Sequence, residues 1–279
     1  MGTSSTMDLY AVMGNPINHS KSPVIHTQFA ELTKQDLIYS AMLVPKDGFD
    51  SAVSDFFKGS GRGLNITVPF KEEAFAYVDA MSERAQIAKA VNTLILQEDG
   101  SVLGENTDGA GLVRDLTVNL NVHLIGRRVL ILGAGGAVRG VLKPILDEQP
   151  QSITIANRTF EKAEALASEF SQYGDVTAQK FEDVAGEFDV IINGTSASLQ
   201  GDLPPVSNDV IGTKTQVYDM MYGKEPTPFM AWATEQGAAQ AFDGLGMLVE
   251  QAAESFFLWR GVRPDSRSVL KNLRASLVA

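Results

Sequence analysis

The stretch Val129–Arg139, with the sequence VLILGAGGAVR, constrains the fold of this chain more than any other segment. Its first five residues are typical of a buried parallel strand that runs into glycines, and a helix is expected to follow. This arrangement places free backbone N–H groups and the positive end of a helix dipole at one point, which suits a pyrophosphate. Gly133 can make the tight turn, while Gly135 and Gly136 let the backbone approach phosphates. The third position of the G-x-G-x-x-G pattern is Val138, so a glycine turn without a ligand is the alternative.

The loop after the next predicted strand, Gln151–Ala156, indicates which dinucleotide binds. Roughly 20 residues past the glycines, an NAD site carries an acid for the ribose 2′-hydroxyl. This chain has Asn157-Arg158-Thr159 there instead, and Lys162 follows one turn later. Arg158 can bind a 2′-phosphate through a charge-assisted fork of hydrogen bonds, which predicts NADP as the cofactor. The alternative is a solvated arginine in an ordinary loop.

The composition excludes several classes of function. The chain has 279 residues, enough for two domains, and a net charge of −11 with no basic run. This charge argues against nucleic acid and anionic membranes as partners, but not against a small anionic ligand. There is no cysteine, which rules out disulfides and thiolate chemistry. His19, His26 and His123 are not spaced as a pair on one helix face, so no metal is expected.

Targeting segments are also missing from the sequence pattern. No apolar run approaches the ~18 residues of a membrane helix, and no signal peptide opens the chain. A cytoplasmic location is therefore expected. The small polar residues Met1–Thr6 are interpreted as a flexible leader.

Two serines before the first predicted helix are placed to bind an anion. Ser22 precedes Pro23, a favoured first helical residue, so Ser22 is expected to be the N-cap. Ser20, Ser22 and the open amides of that helix end also suit a carboxylate. Capping alone is the simpler alternative, and the two roles do not exclude one another.

A lysine in an electrostatically unfavourable position marks a candidate catalytic group. Pro69 is expected to start a helix, which places Lys71 in its first turn. The helix dipole favours acids there, as at the neighbouring Glu72 and Glu73, so the lysine indicates a function. A lysine that extends into solvent is the alternative.

Polar side chains gather at the two ends of a predicted β-hairpin. These residues are Asn92, Thr93, Asn106, Thr107 and Asp108. Uncharged hydrogen-bonding groups and a carboxylate so close together suit a polyhydroxylated ligand. The alternative is turn and cap chemistry, with Asp108 as the cap of a helix over 109–119.

From about residue 109 the sequence alternates strands and helices, which is typical of a parallel dinucleotide-binding sheet. We therefore predict an α/β protein with an N-terminal α/β substrate domain, a Rossmann-like doubly wound NADP-binding domain and a cleft between them. The substrate domain is expected to be discontinuous, over 1–107 and 244–279, and the NADP-binding domain to span 108–243. Asn193 and Thr195 follow a predicted strand, where doubly wound sheets bind ligands.

Motifs spread along the chain resemble those of shikimate dehydrogenases of the bacterial single-function type. They are GNPINHSKSP at 14–23, NITVPFK at 65–71, AVNT at 90–93, GENTDG at 104–109, GAGGA at 133–137, NRT at 157–159, NGTS at 193–196, YDMMY at 218–222 and DGLGMLVEQAA at 243–253. The resemblance runs from Tyr10 to about Leu273. Glu105 stands where an aspartate is common, with little effect expected, and Gly194 where alanine is common.

The resemblance implies a reversible reduction of 3-dehydroshikimate by NADPH in aromatic amino acid biosynthesis, with Lys71 and Asp108 as a catalytic pair. The implied substrate contacts, besides Asp108, are Ser20, Ser22, Asn65, Thr67, Asn92, Tyr222 and Gln251. The implied cofactor contacts are Gly133, Gly135, Gly136, Ala137, Asn157, Arg158, Thr159, Lys162, Thr195, Met220 and Gly244.

The chemistry of the pair fits a ketone reduction. An ammonium such as Lys71 can donate a proton to a carbonyl oxygen as it gains charge, and a carboxylate at Asp108 would orient it. Which of the two carries the transferred proton stays open.

Three other functions are alternatives to this one. A quinate/shikimate dehydrogenase of broader range is disfavoured by Arg158 and Lys162, because no acid stands nearby to select NAD. A non-catalytic sensor of the same fold need not keep Lys71 and Asp108. A folate-dependent dehydrogenase would need a pterin pocket, which a serine carboxylate site does not suggest. Monomer and homodimer are both open.

Overall fold

The computed structural model describes residues 7–278, and the predicted leader Met1–Thr6 lies outside the described residues. The chain divides into two units. Unit 1 extends to Asp108 and also contains Val249–Leu273, whereas unit 2 contains Gly109–Leu248 and the segment that begins at Arg274. Each unit is built around its own six-stranded sheet.

The structure contains twelve strands and ten α-helices within residues 7–278. The strands are β1 (Asp8–Gly14), β2 (Leu37–Leu43), β3 (Gly61–Ile66), β4 (Ala80–Met81), β5 (Thr93–Leu96), β6 (Val102–Glu105), β7 (Arg128–Leu132), β8 (Ser152–Ala156), β9 (Val176–Gln179), β10 (Phe188–Asn193), β11 (Ile211–Asp219) and β12 (Gln240–Asp243). The helices are α1 (Ser22–Thr33), α2 (Phe49–Lys58), α3 (Lys71–Tyr77), α4 (Glu83–Ala88), α5 (Asp108–Arg114), α6 (Gly136–Asp147), α7 (Phe160–Phe170), α8 (Pro228–Glu235), α9 (Leu245–Arg260) and α10 (Ser266–Val278).

The sheet of unit 1 places polar residues side by side at one end of its strands, the carboxyl end of β3. Its strand order is β2-β1-β3-β5-β6-β4, with β5 and β6 forming the predicted antiparallel hairpin. In the register of these strands Asn65 pairs with Thr93, and Thr93 pairs with Glu105. The residues that follow β6, including Asp108, therefore leave the sheet at the edge that carries Asn65. Apolar side chains such as Phe49 and Phe70 pack the core beside this sheet.

The sheet of unit 2 is parallel throughout, in the order β12-β11-β10-β7-β8-β9. The apolar residues of β7 are fully buried, as expected for a central strand covered on both faces. The chain moves from β7 to β8 on one side and returns to β10 on the other, so the strand order reverses between β7 and β10. Ligands of doubly wound sheets bind at the carboxyl ends of the strands at such a point. The predicted α/β class with a Rossmann-like second sheet is confirmed.

Two predicted helix boundaries are wrong. Pro69 does not start a helix, because the Phe70 amide bonds to the Thr67 carbonyl in a turn and α3 begins only at Lys71. The predicted helix over 109–119 ends as α5 at Arg114 and continues as a π-helical turn, Asp115–Asn119. In that turn the Leu120 amide bonds to the carbonyl of Asp115, five residues back.

Neither a membrane-spanning helix nor a metal-binding cluster occurs in the part of the chain that the structure describes. The longest helix there, α9, has 16 residues, and no helix is long and apolar enough to cross a bilayer. In the same range no three His, Asp or Glu side chains are placed to hold a metal ion.

Candidate active site

Lys71 and Asp108 form an ion pair in unit 1. Lys71 is the first residue of α3 and Asp108 the first residue of α5, and Lys71 Nζ lies 2.5 Å from Asp108 Oδ2. The two side chains are 32% and 18% exposed, so a ligand can still reach them. The lysine that the helix dipole disfavours is therefore held by a carboxylate from another element, and it does not extend into solvent.

The other carboxylate oxygen of Asp108 is held by Asn92. Asn92 Nδ2 donates to Asp108 Oδ1 at 2.9 Å, and Asn92 Oδ1 accepts the Thr107 amide at 2.9 Å. The Asn106 side chain accepts the Asp108 amide at 3.1 Å, and α5 begins at Asp108, so the alternative in which Asp108 is only a helix cap does not hold. Asp108 lies inside the helix instead, and its carboxylate is left for Lys71 and Asn92. The polar hairpin ends thus form one connected site.

Asn65 is fixed from two sides by residues that the sequence analysis missed. Tyr39 donates its hydroxyl to Asn65 Oδ1 at 2.7 Å, and Asn65 Nδ2 donates to Ser255 Oγ at 3.0 Å. Ser255 Oγ in turn donates to the carbonyl of Gln251, one helical turn earlier on α9. The available signals were weak: Tyr39 is a buried residue of a strand, and Ser255 lies on the helix face of Gln251.

The serine segment differs from its prediction in one respect. Lys21 is the N-cap of α1 and Ser22 lies inside the helix, so the prediction that Ser22 is the N-cap is wrong. The backbone already adopts helical angles at Lys21, which moves the helix start forward by one residue. Ser20 Oγ accepts the Ser22 amide at 3.3 Å, so Ser20 satisfies that helix end. The Ser22 hydroxyl lies near the Tyr39 phenol, which donates to Asn65.

Two further predicted substrate residues lie at the same sheet edge. Thr67 follows β3 two residues after Asn65, and its amide bonds to the Met13 carbonyl at 3.0 Å. The Gln251 side chain lies 3.5 Å from the Thr107 hydroxyl. Tyr222 belongs to unit 2, after β11, where burial and the charge of Asp243 raise the pKa of its phenol.

The glycine segment of unit 2 has the geometry that a pyrophosphate requires. Gly133 has a φ of +110°, and a β-carbon there would lie 3.2 Å from Thr195 Cγ2. β-Carbons at Gly135 and Gly136 would meet no atom within 4 Å, so the backbone at the start of α6 faces open space. The amides of this helix end and the exposed Ala137 are accessible to an anion. These residues fit the phosphates of a dinucleotide.

The loop after β8 offers two cations to a further phosphate. Arg158 and Lys162 are exposed, and neither forms an ion pair within residues 7–278. Asn157 donates its side-chain amide to the Thr159 carbonyl at 2.8 Å, which orders the loop between them. An arginine with no carboxylate beside it suits a 2′-phosphate.

The remaining predicted cofactor residues lie at the carboxyl ends of β10, β11 and β12. Thr195 follows β10 and is in contact range of Gly133. A β-carbon at Gly244 would lie 2.2 Å from the carbonyl oxygen of Met220, so only glycine lets these two segments approach so closely. All the predicted cofactor residues therefore belong to unit 2.

Comparisons with known proteins identify the family. Residues 12–94 match the shikimate dehydrogenase substrate binding domain, residues 116–201 match shikimate / quinate 5-dehydrogenase, and residues 244–274 match the shikimate 5′-dehydrogenase C-terminal domain. The NADP(+) shikimate dehydrogenase of Vibrio cholerae is 57% identical over 98% of both chains. An Ael1 enzyme from Pseudomonas putida is 49% identical with a TM-score of 0.92, covering 95% of this chain and 98% of that one. Shikimate 5-dehydrogenase from Thermus thermophilus, solved with NADP(H) and shikimate, is 32% identical with a TM-score of 0.87 over 97% of this chain and all of the other. The chain belongs to the shikimate dehydrogenase family.

Proposed function

We propose that this chain catalyses the reversible NADPH-dependent reduction of 3-dehydroshikimate to shikimate, a step of aromatic amino acid biosynthesis. The observation that carries the proposal is the Lys71–Asp108 ion pair. Asn92 holds this pair beside polar side chains that can form hydrogen bonds to substrate hydroxyls. Family membership supports the reaction, and the names of the curated relatives support NADP as the cofactor. The substrate is a small molecule.

Ketone reduction needs a hydride and a proton. NADPH supplies the hydride to the carbonyl carbon when it is bound. The Lys71–Asp108 pair delivers the proton to the carbonyl oxygen, which becomes the alcohol of shikimate. In the reverse direction the pair accepts that proton. Because the two groups share a hydrogen bond of 2.5 Å, the proton is assigned to the pair and not to one residue.

The rest of unit 1 would hold the substrate. Ser20 and Ser22 at the start of α1 would bind its carboxylate, because open amides and hydroxyls converge there. The hydroxyls of the substrate would form hydrogen bonds with the side chains of Asn65, Thr67, Asn92 and Gln251. An analogue that lacks a hydroxyl would leave a buried group unpaired, at a cost of about 1–3 kcal/mol. Tyr222 is assigned to the substrate by the resemblance.

The rest of unit 2 would hold the cofactor. The glycine segment from Gly133 to Ala137 would bind the pyrophosphate, and the residues from Asn157 to Lys162 the 2′-phosphate. Thr195, Met220 and Gly244 would contact the cofactor at the carboxyl ends of their strands. We assign 1–107 with 244–279 to substrate binding and 108–243 to NADP binding, whereas the two units of the structure divide after Asp108 and Leu248.

A direct spectrophotometric assay tests the proposal. Purified protein is mixed with shikimate and either NADP+ or NAD+, and the absorbance of the reduced nicotinamide is followed. Rapid reduction with NADP+ and little with NAD+ is expected. Equal use of the two cofactors would contradict the role of Arg158, and comparable turnover of quinate would favour the broader quinate/shikimate activity. A folded protein that reduces neither cofactor would refute the enzymatic function.

We propose a homodimer as the assembly state. Strand β2 is an edge strand of its sheet, and it exposes Ile38 and Leu43. An unpaired edge with exposed apolar side chains suits association with a second copy. Light scattering after gel filtration measures the mass, and a monomer at micromolar concentration would refute the dimer.

A further inference from the structure

Asp219, the last residue of β11, is a fully buried carboxylate that no cation accompanies among the described residues. Four neutral donors surround it instead. Its Oδ1 accepts the Asn193 side-chain amide and the Met221 backbone amide, each at 3.1 Å. Its Oδ2 accepts the hydroxyls of Ser198 at 2.7 Å and Thr227 at 2.6 Å. Burial raises the pKa of Asp219, although the four hydrogen bonds act in the opposite direction. A buried carboxylate without a cation costs free energy, so its presence here calls for a function.

The donors of Asp219 bracket the loop that follows β10. Asn193 precedes this loop and Ser198 lies within it, so one carboxylate holds both ends of the turn that contains Thr195. Asn193 also holds Thr195, because Asn193 Oδ1 accepts the Thr195 amide at 3.1 Å and the Thr195 hydroxyl at 2.7 Å. The position of Thr195 is thus fixed by Asp219 through Asn193.

The same carboxylate brackets the loop that follows β11. Met221 lies at its start and Thr227 at its end, where Thr227 also caps α8. The Met220 amide bonds to the carbonyl of Asn193 at 2.9 Å, which joins the two loops directly. Gly244 packs against the Met220 carbonyl. Three residues assigned to the cofactor therefore depend on one buried group.

We propose that Asp219 is a positioning residue for NADP. It clamps the loops after β10 and β11 at the carboxyl edge of the sheet, where doubly wound folds bind their ligands. Asp219 touches neither cofactor nor substrate in this role and acts through Thr195, Met220 and Gly244. The inference rests on the proposed function, because those three contacts are part of it.

Asp219→Asn tests the clamp with little change in volume. An asparagine keeps one acceptor oxygen for the Asn193 and Met221 amides and turns its NH2 group toward the Ser198 and Thr227 hydroxyls, which must then accept instead of donate. All four bonds to a charged carboxylate are thereby lost or weakened. We expect the Kd for NADP+, measured by calorimetry without shikimate, to rise about tenfold, the equivalent of one hydrogen bond. The Kd for shikimate and the binding stoichiometry should stay unchanged. A variant that was merely less stable would lower the stoichiometry and leave the Kd as it was.

Asp189→Asn is the matched control. Asp189 lies at the opposite end of β10, away from the carboxyl ends of the strands. Its carboxylate accepts the Arg128 amide at 2.8 Å. This substitution removes the same charge from the same unit, and we expect the NADP+ affinity of wild type.

Ser198→Ala decides the matter if Asp219→Asn does not fold. It removes one donor from a half-buried position, and we expect NADP+ affinity to fall in the same direction by a smaller factor. A folded Asp219→Asn with the wild-type Kd, or an unaffected Ser198→Ala where the first variant fails, would overturn the inference alone. A wild-type protein that does not bind NADP+ would overturn the proposed function together with the inference.

Discussion

Val138 occupies the space that a side chain at Gly194 would need. Val138 is a buried residue of α6, and Gly194 is the first residue after β10. A β-carbon on Gly194 would lie 2.5 Å from Val138 Cγ2 and 3.2 Å from Met220 Sδ. The two departures noted in the sequence, a valine at the third position of the glycine pattern and a glycine where alanine is common, thus compensate for one another.

Gly194→Ala should therefore destabilise the protein. We expect a loss of about 1–3 kcal/mol in the free energy of unfolding, because the added methyl group overpacks the site against Val138. Val138→Ala alone should also destabilise, since it leaves a cavity. The double variant should recover most of the loss of Gly194→Ala. Urea unfolding of the four proteins measures the coupling, and purely additive effects would contradict the steric pairing.

Lys71→Ala should lower turnover far more than substrate affinity. The ammonium is the group that the ion pair offers to the carbonyl oxygen, and loss of acid–base help should reduce kcat by ~10²–10⁴-fold. Steady-state kinetics with shikimate and NADP+ measure kcat and KM separately. Lys58→Ala, an exposed lysine at the end of α2, serves as the control and should behave as wild type. A raised KM with unchanged kcat would make Lys71 a binding residue only.

Local patterns predicted much of the fold and the core of the site. The strand, glycine segment and helix around Gly133 lie as predicted because their signals are local, and Lys71 stands in the first turn of its helix for the same reason. The predicted N-cap at Ser22 was wrong by one residue, because the cap is Lys21, and this is the scale at which cap geometry depends on the neighbouring backbone.

Contacts between segments that are distant along the chain could not be predicted from the sequence. Ser255 bonds to Asn65 across 190 residues, and Tyr39 on β2 reaches Asn65 on β3 across the intervening strand β1. Neither pairing leaves a periodic pattern, because each depends on where α9 and β2 lie relative to β3. The role of Asp219 is of the same kind, since the aspartate, its loops and the segment near Gly244 meet only in the folded sheet.

Arg158→Ala should weaken NADP+ binding and leave NAD+ binding unchanged. The 2′-phosphate would lose a charge-assisted partner worth about 1.5–3 kcal/mol, which is roughly a 10- to 150-fold rise in the KM for NADP+. NAD+ has no such phosphate, so the ratio of kcat/KM for the two cofactors is the measurement. Lys214→Ala removes an exposed cation in the first half of β11, away from the carboxyl ends of the strands, and is the control. An equal effect on both cofactors would show that Arg158 acts on the loop and not on the phosphate.

His26 should make the protein less stable as the pH falls. Its ring is buried and stacks on Tyr39 with centroids 4.2 Å apart, and neither ring nitrogen has a hydrogen-bond partner among the described residues. Burial lowers the pKa of His26 from 6.5 to about 3, although the Asn65 side chain acts in the opposite direction.

The unfolded chain therefore binds a proton at His26 below pH 6.5 that the folded protein does not bind until about pH 3. Stability from this residue is complete above pH 6.5 and is lost as the pH falls, by up to ~1.4 kcal/mol per pH unit. Urea unfolding between pH ~5 and ~7 should show a shallower decline for His26→Phe, which keeps an aromatic ring but cannot titrate. His123→Gln, at an exposed position, should keep the wild-type slope. A wild-type slope in His26→Phe would assign the acid sensitivity to other groups.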